Sequence, residues 1–181
     1  GMSVLGVILL SGTLNLEKIL NQQTAGVMSW YIWYQPLACL IFYVSSLAEA
    51  SRLPFDLSEC EQELVGGYHT EYGGLRMGMF FVGEYTHLIT ISFLTSILFF
   101  GGWYFPWIAT PASTYTGAWL VKVGVLLVKV LLSVFIIMLI RWTLPRFRFD
   151  QLMELSWKVF IPLALANLVA VKGLKKFNLK P

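Results

Sequence analysis

The chain has 181 residues, of which 57% are hydrophobic and only 13% are charged, with a net charge of +3. Soluble globular chains average about 25% charged residues, so this one lacks the polar surface to cover a water-soluble ball, and its mean hydropathy of +0.69 agrees. A spanning helix takes about 20 apolar residues, which leaves room for roughly four or five spans, and nothing in the charge calls for a nucleic-acid partner.

Residues 1–12 are apolar but too short to cross a bilayer, and read as the end of an incomplete span followed by an interhelical loop over 13–27. The first full span is expected over 28–48. Trp30, Trp33 and Tyr34 stand near one end of it, as an interfacial aromatic belt does, and Gln35-Pro36 predicts a kink because proline removes a helical donor. An acidic loop over 49–78 leads to a second span, 79–100, interrupted by Glu84 and His87. A short Gly- and Pro-containing loop, 101–117, precedes a third span, 118–141, that carries Lys122 and Lys129. A basic loop, 142–151, leads to a fourth span, 152–172, with Glu154 and Lys158 at its start and Ile161-Pro162 within it, then a tail over 173–181. The expected fold is therefore all-α, a polytopic transmembrane helical bundle of about four full spans plus the end of another.

Other features are quieter. Cys39 and Cys60 belong to no Cys-x-x-Cys or Cys/His spacing, so neither a metal centre nor a structural disulfide is expected. The N-terminal residues lack the basic region and small-residue cleavage site of a signal peptide. Six Arg/Lys would fall on one side of the membrane and five on the other, too even for charge bias to set orientation.

Seven of the ten acidic residues lie between positions 49 and 84: Glu49, Asp56, Glu59, Glu61, Glu63, Glu71 and Glu84. Pro54 holds the chain extended, and Asp56 with Glu59 has the spacing of a capping box. A short helix then runs to Gly66-Gly67, with Glu59 and Glu63 on one face. Closely set carboxylates raise one another's proton affinity, so a partly desolvated cluster would exchange protons near neutral pH. A solvated acidic loop outside the membrane is the alternative reading of the loop alone. Glu84 favours the first. It falls in the first turns of a span, where a charge costs about 2.5–3.5 kcal/mol on insertion scales and marks a functional candidate. His87 shares its face, one turn on, and by itself reads as a helix-packing residue. Lys122 can snorkel toward the interface. Lys129, near mid-span, should face protein and meet a carboxylate or water, and Asn167 should hydrogen-bond between helices.

These residues belong to longer motifs. Glu49-x-x-Arg52-x-Pro54-Phe55-Asp56-x-x-Glu59-x-Glu61-x-Glu63-Leu64-Val65, then Gly67-Tyr68, Glu71-Tyr72 and Glu84-Tyr85, form one. Arg141-x-Thr143-Leu144-Pro145-Arg146-x-Arg148-x-Asp150-Gln151-Leu152-Met153 with Trp157-Lys158 forms another, and Gly12 to Leu16 with Gln22 or Gln23 a third. Together these resemble the quinone-site membrane subunit of respiratory complex I, NADH:ubiquinone oxidoreductase, over the second half of that subunit only. Ala50-Ser51 and Phe149 are mild departures from the family's usual residues.

The resemblance implies a subunit that binds no prosthetic group, lines part of the ubiquinone tunnel, and lies beside a neighbour holding an iron–sulfur cluster. It places the glutamate loop on the matrix or cytoplasmic side, against the peripheral arm. It also implies that Glu49, Asp56, Glu59, Glu61, Glu63, Glu71, Glu84 and Lys129 couple quinone reduction to proton movement. Arg52 is then their charge partner, and Arg52, Phe55 and Asp56 line the tunnel. Partners would be the quinone-site peripheral-arm subunits, adjacent small membrane subunits, and a separate chain supplying the first half. The mitochondrial inner membrane is the expected location, with a bacterial cytoplasmic membrane as the alternative. Competing functions are the membrane anchor of an energy-converting hydrogenase, which shares the Arg-x-Pro-Phe-Asp core, an ion-relaying secondary carrier built on Glu84, His87 and Lys129, and a structural scaffold.

Overall fold

A computed structural model describes residues 1–49, 74–106, 108–109, 117–143, 145 and 149–176. Its helices are α1 (Met2–Ser11), α2 (Leu16–Gln22), α3 (Tyr31–Tyr34), α4 (Pro36–Glu49), α5 (Leu75–Phe99), α6 (Ala118–Thr143), α7 (Phe149–Leu155) and α8 (Ile161–Lys176). A 3₁₀ turn, Val27–Ser29, precedes α3, and a π turn, Ser156–Phe160, joins α7 to α8. No strand is formed among the described residues beyond an isolated antiparallel bridge between Phe105 and Ala109. The all-α membrane bundle read from hydropathy is borne out.

Three helices are long and apolar enough to cross a membrane: α5 with 25 residues, α6 with 26, and the run Asp150–Gly173 with 24. At 1.5 Å per residue each exceeds the roughly 30 Å of bilayer hydrocarbon. A fourth crossing is possible if α1 and α2 act as one span, bent by 64° at Gly12–Asn15. Asn15 starts α2 by accepting a hydrogen bond from the Glu17 N–H at 2.9 Å.

The stretch 28–48 is not one helix. Pro36 disfavours helical geometry at the residue before it, and Gln35 leaves the helix with φ −137° and ψ 60°. The chain there is divided into the 3₁₀ turn, α3 and the 14-residue α4, whose length of about 21 Å falls short of a full crossing. A second proline distorts without breaking. Pro162 offers no N–H to the carbonyl of Lys158, and just before it the helix widens, the Ile161 N–H bonding to the Ser156 carbonyl five residues back.

Two packed clusters organise the bundle. Val7, Ile19, Tyr31, Ala38, Leu98 and Phe99 join α1, α2, α3 and α4 to the end of α5. Leu47, Leu88, Ile91 and Ile137 join α4, α5 and α6. In lipid such clusters act through close contact rather than through release of water. Leu127, Val128, Leu131, Leu132 and Phe135 leave much of α6 uncovered, as a lipid- or subunit-facing helix would be.

Candidate functional site

Of the acidic residues singled out above, Glu49 and Glu84 fall within the described residues. Arg52, Phe55, Asp56, Glu59, Glu61, Glu63 and Glu71 lie outside them. Glu49 is the last residue of α4 and is exposed. Glu84 is half-buried in the third turn of α5. Leu47, two residues before Glu49, packs in one cluster with Leu88, one turn after Glu84. Both carboxylates therefore belong to the end of the bundle where the chain leaves α4 and enters α5. His87 is half-buried, and its enclosed Nε2 has no hydrogen-bond partner among the described residues. An acid and an imidazole thus sit one turn apart within a span.

Deeper in the bundle lie mostly neutral polar groups, together with the half-buried Lys129. A cleft of about 410 Å³ lies between α4, α5 and α6, lined by Ile32, Cys39, Tyr43, Thr95, Ser133 and Ile140 among others. Tyr43 crosses beside it to donate its hydroxyl to the Ser133 carbonyl at 2.9 Å. Such a cleft suits a hydrocarbon chain better than a charged ligand. Among the described residues no three His, Cys, Asp or Glu side chains are grouped as metal ligands would be.

Three glutamines, Gln23 and Gln35 buried and Gln22 exposed, stitch the broken helices together. Gln22 accepts from the Tyr31 hydroxyl at 2.5 Å and donates to the Ser11 carbonyl at 3.2 Å. Gln23, fully buried, donates to the carbonyls of Ile97 and Leu98 and accepts from the Tyr31 N–H. Gln35 donates to the Gly6 carbonyl at 2.9 Å. Asn167 and Gln35 both sit against Gly6, where α1 and α8 pack together. In the sequence Gln22 and Gln23 stand out only as part of a motif. The signal for their role is the presence of uncharged amides in an apolar setting, where they must find backbone partners.

Lys129 faces protein, as expected, and among the described residues its ammonium donates to the carbonyls of Phe100 at 2.7 Å, Gly102 at 2.9 Å and Tyr104 at 2.7 Å. Trp30 lies beneath it, with the ring centroid 4.4 Å from the nitrogen. Lys122 lies 4.8 Å from the Trp103 ring.

The comparisons with known proteins agree with the motif reading. The family described as NADH dehydrogenase matches residues 1–172. An NADH-quinone oxidoreductase subunit of Flavobacterium johnsoniae is 45% identical over 172 residues, which cover 93% of this chain and 48% of that protein. The chain thus spans about half the length of the curated relative it matches. A match across nearly all of this sequence, on a bundle with three to four apolar spans, shows that the chain is a multi-pass membrane protein belonging to the NADH dehydrogenase family.

Proposed function

We propose that the chain forms part of the quinone tunnel of a proton-pumping NADH:ubiquinone oxidoreductase, and carries carboxylates that couple quinone reduction to proton translocation. The observation that carries this reading is Glu84, an ionisable group half-buried in a spanning helix, in a chain 45% identical to a protein named for quinone oxidoreduction. Quinone reduction takes up two protons, and the charge change must be felt by groups that can shift their own proton occupancy. Glu84 leads that set, with Glu49, Asp56, Glu59, Glu61, Glu63 and Glu71, while Arg52 balances their charge and, with Phe55 and Asp56, lines the tunnel. Ubiquinone is then a substrate of the whole complex, its electrons coming from an iron–sulfur cluster in a neighbouring subunit.

On this reading the partners are peripheral-arm and small membrane subunits, together with residues supplying the other half of the relative's length, in this polypeptide or another. The bacterial relative supports a bacterial cytoplasmic membrane over the mitochondrial inner membrane.

The test is Glu84→Gln in the assembled complex, with Glu59→Gln and Glu63→Gln beside it. Assembly should persist while protons moved per electron pair fall. An unchanged ratio in all three variants would support a scaffold and sink the coupling role. A nickel–iron protein among co-purifying chains would instead assign the hydrogenase reading.

A further inference from the structure

The end of α5 poses a problem of unmet hydrogen bonds. A helix terminus leaves carbonyls without intrahelical donors, and inside a membrane no bulk water is available to supply them. Here the terminus lies against the middle of α6. The side chain that reaches it, Lys129, is eleven residues from the start of α6 and fourteen from its end, or about 16 Å and 21 Å along the axis. Six carbonyls around the terminus are met in three ways. That of Ser96 accepts from the N–H groups of Phe100 and Gly102. Those of Ile97 and Leu98 accept from Gln23. Those of Phe100, Gly102 and Tyr104 are turned to one point, where Lys129 places its ammonium.

The convergence is built by the chain itself. Gly101 and Gly102 have φ of +67° and +50°, a left-handed pair that reverses the backbone so that alternate carbonyls face inward. Trp30 closes the floor of the site, and its indole edge lies 2.7 Å from where a Cβ on Gly101 would be. Leu20 packs equally closely on Gly102. An ammonium has three N–H donors, and the site offers three carbonyls and an aromatic face.

We infer that the carbonyls of Phe100, Gly102 and Tyr104, with the Trp30 ring, form a binding site for a primary ammonium, and that Lys129 is its built-in ligand. Lys129 is therefore a positioning residue: it holds a broken stretch of backbone against the middle of α6, and its partners are groups that do not titrate. The inference goes beyond the proton-coupling reading and does not depend on it. Lys129 can serve this site whether or not Glu84 carries protons.

Chemical rescue tests it. In the assembled, detergent-extracted protein, Lys129→Ala should lower the thermal midpoint by about 5 °C or more. Methylammonium chloride should recover part of that loss. Tetramethylammonium chloride, which has no N–H donor, and potassium chloride at equal ionic strength should not. If Lys129→Ala does not accumulate, Lys129→Gln, which keeps two N–H donors, should be more stable than Lys129→Met, which keeps none. An unchanged midpoint, a loss that methylammonium does not selectively recover, or equal stability of the Gln and Met variants would overturn the assignment. So would an unshifted midpoint joined to fewer protons moved per electron pair, since that outcome makes Lys129 a relay.

Discussion

Along α5, the residues up to Thr90 and those from Ile91 on meet different surroundings. Leu75, Met79, Phe80, Phe81 and Val82 are exposed, and Glu84 sits among them half-buried, with Leu88 the buried exception. Ile91, Ser92 and the five residues from Thr95 to Phe99 are buried. Hydroxyl groups behave alike in both halves, each bonding the carbonyl four residues back: Thr86 and Thr90 in the first, Ser92, Thr95 and Ser96 in the second. The halves therefore differ in what covers the helix, while its internal hydrogen bonding stays the same. The inner half is fixed by neighbours of this chain. The outer half carries the ionisable groups Arg76, Glu84 and His87.

Substitutions should expose that asymmetry. The largest loss is expected at the inner terminus, from Gly101→Val. A β-branched residue resists φ +67°, and its side chain would enter the Trp30 ring. Destabilisation of about 3 kcal/mol or more, read as a fall in thermal midpoint, is expected. Gln23→Leu comes next, at about 2 kcal/mol, because it strips donors from two buried carbonyls and an acceptor from the Tyr31 N–H. In the outer half, Glu84→Gln should cost less than about 1 kcal/mol, although it is the change expected to lower proton movement. Thr90→Ala should lie within about 0.5 kcal/mol of the parent, since an exposed hydroxyl bonded within its own helix is lost. A large thermal loss at Thr90 or Glu84 would mean that the outer half is also clamped, and the contrast would disappear.

The sequence and the structure diverge where partners are backbone atoms. Spans α5 and α6 were legible because long apolar runs leave few alternatives, and Pro36 announced the break at Gln35 through its missing donor. The family was legible from charged motifs whose spacing is specific. The surroundings of Lys129 were not. A carbonyl carries no residue signature, so a search for a lysine's partner turns to carboxylates by default. Gly101-Gly102 was the available clue, a pair of residues suited to left-handed backbone at the end of a span. The site that depends on Asp56 to Glu71 rests on sequence alone, because those positions lie outside the described residues.

Gln23 makes distant parts of the chain answerable to one another. Its amide contacts three separate stretches, around Ile19, Tyr31 and Ile97–Leu98, so it acts as a single rivet through three plates. Once it is gone, further damage to any of those stretches removes less than it would from the intact junction. Paired substitutions around it should then fall short of the sum of their separate effects, by about 0.5–3 kcal/mol for groups in direct contact. Variation at α2, α3 and the end of α5 is thereby made interdependent. A change tolerated in one sequence background of this family need not be tolerated in another.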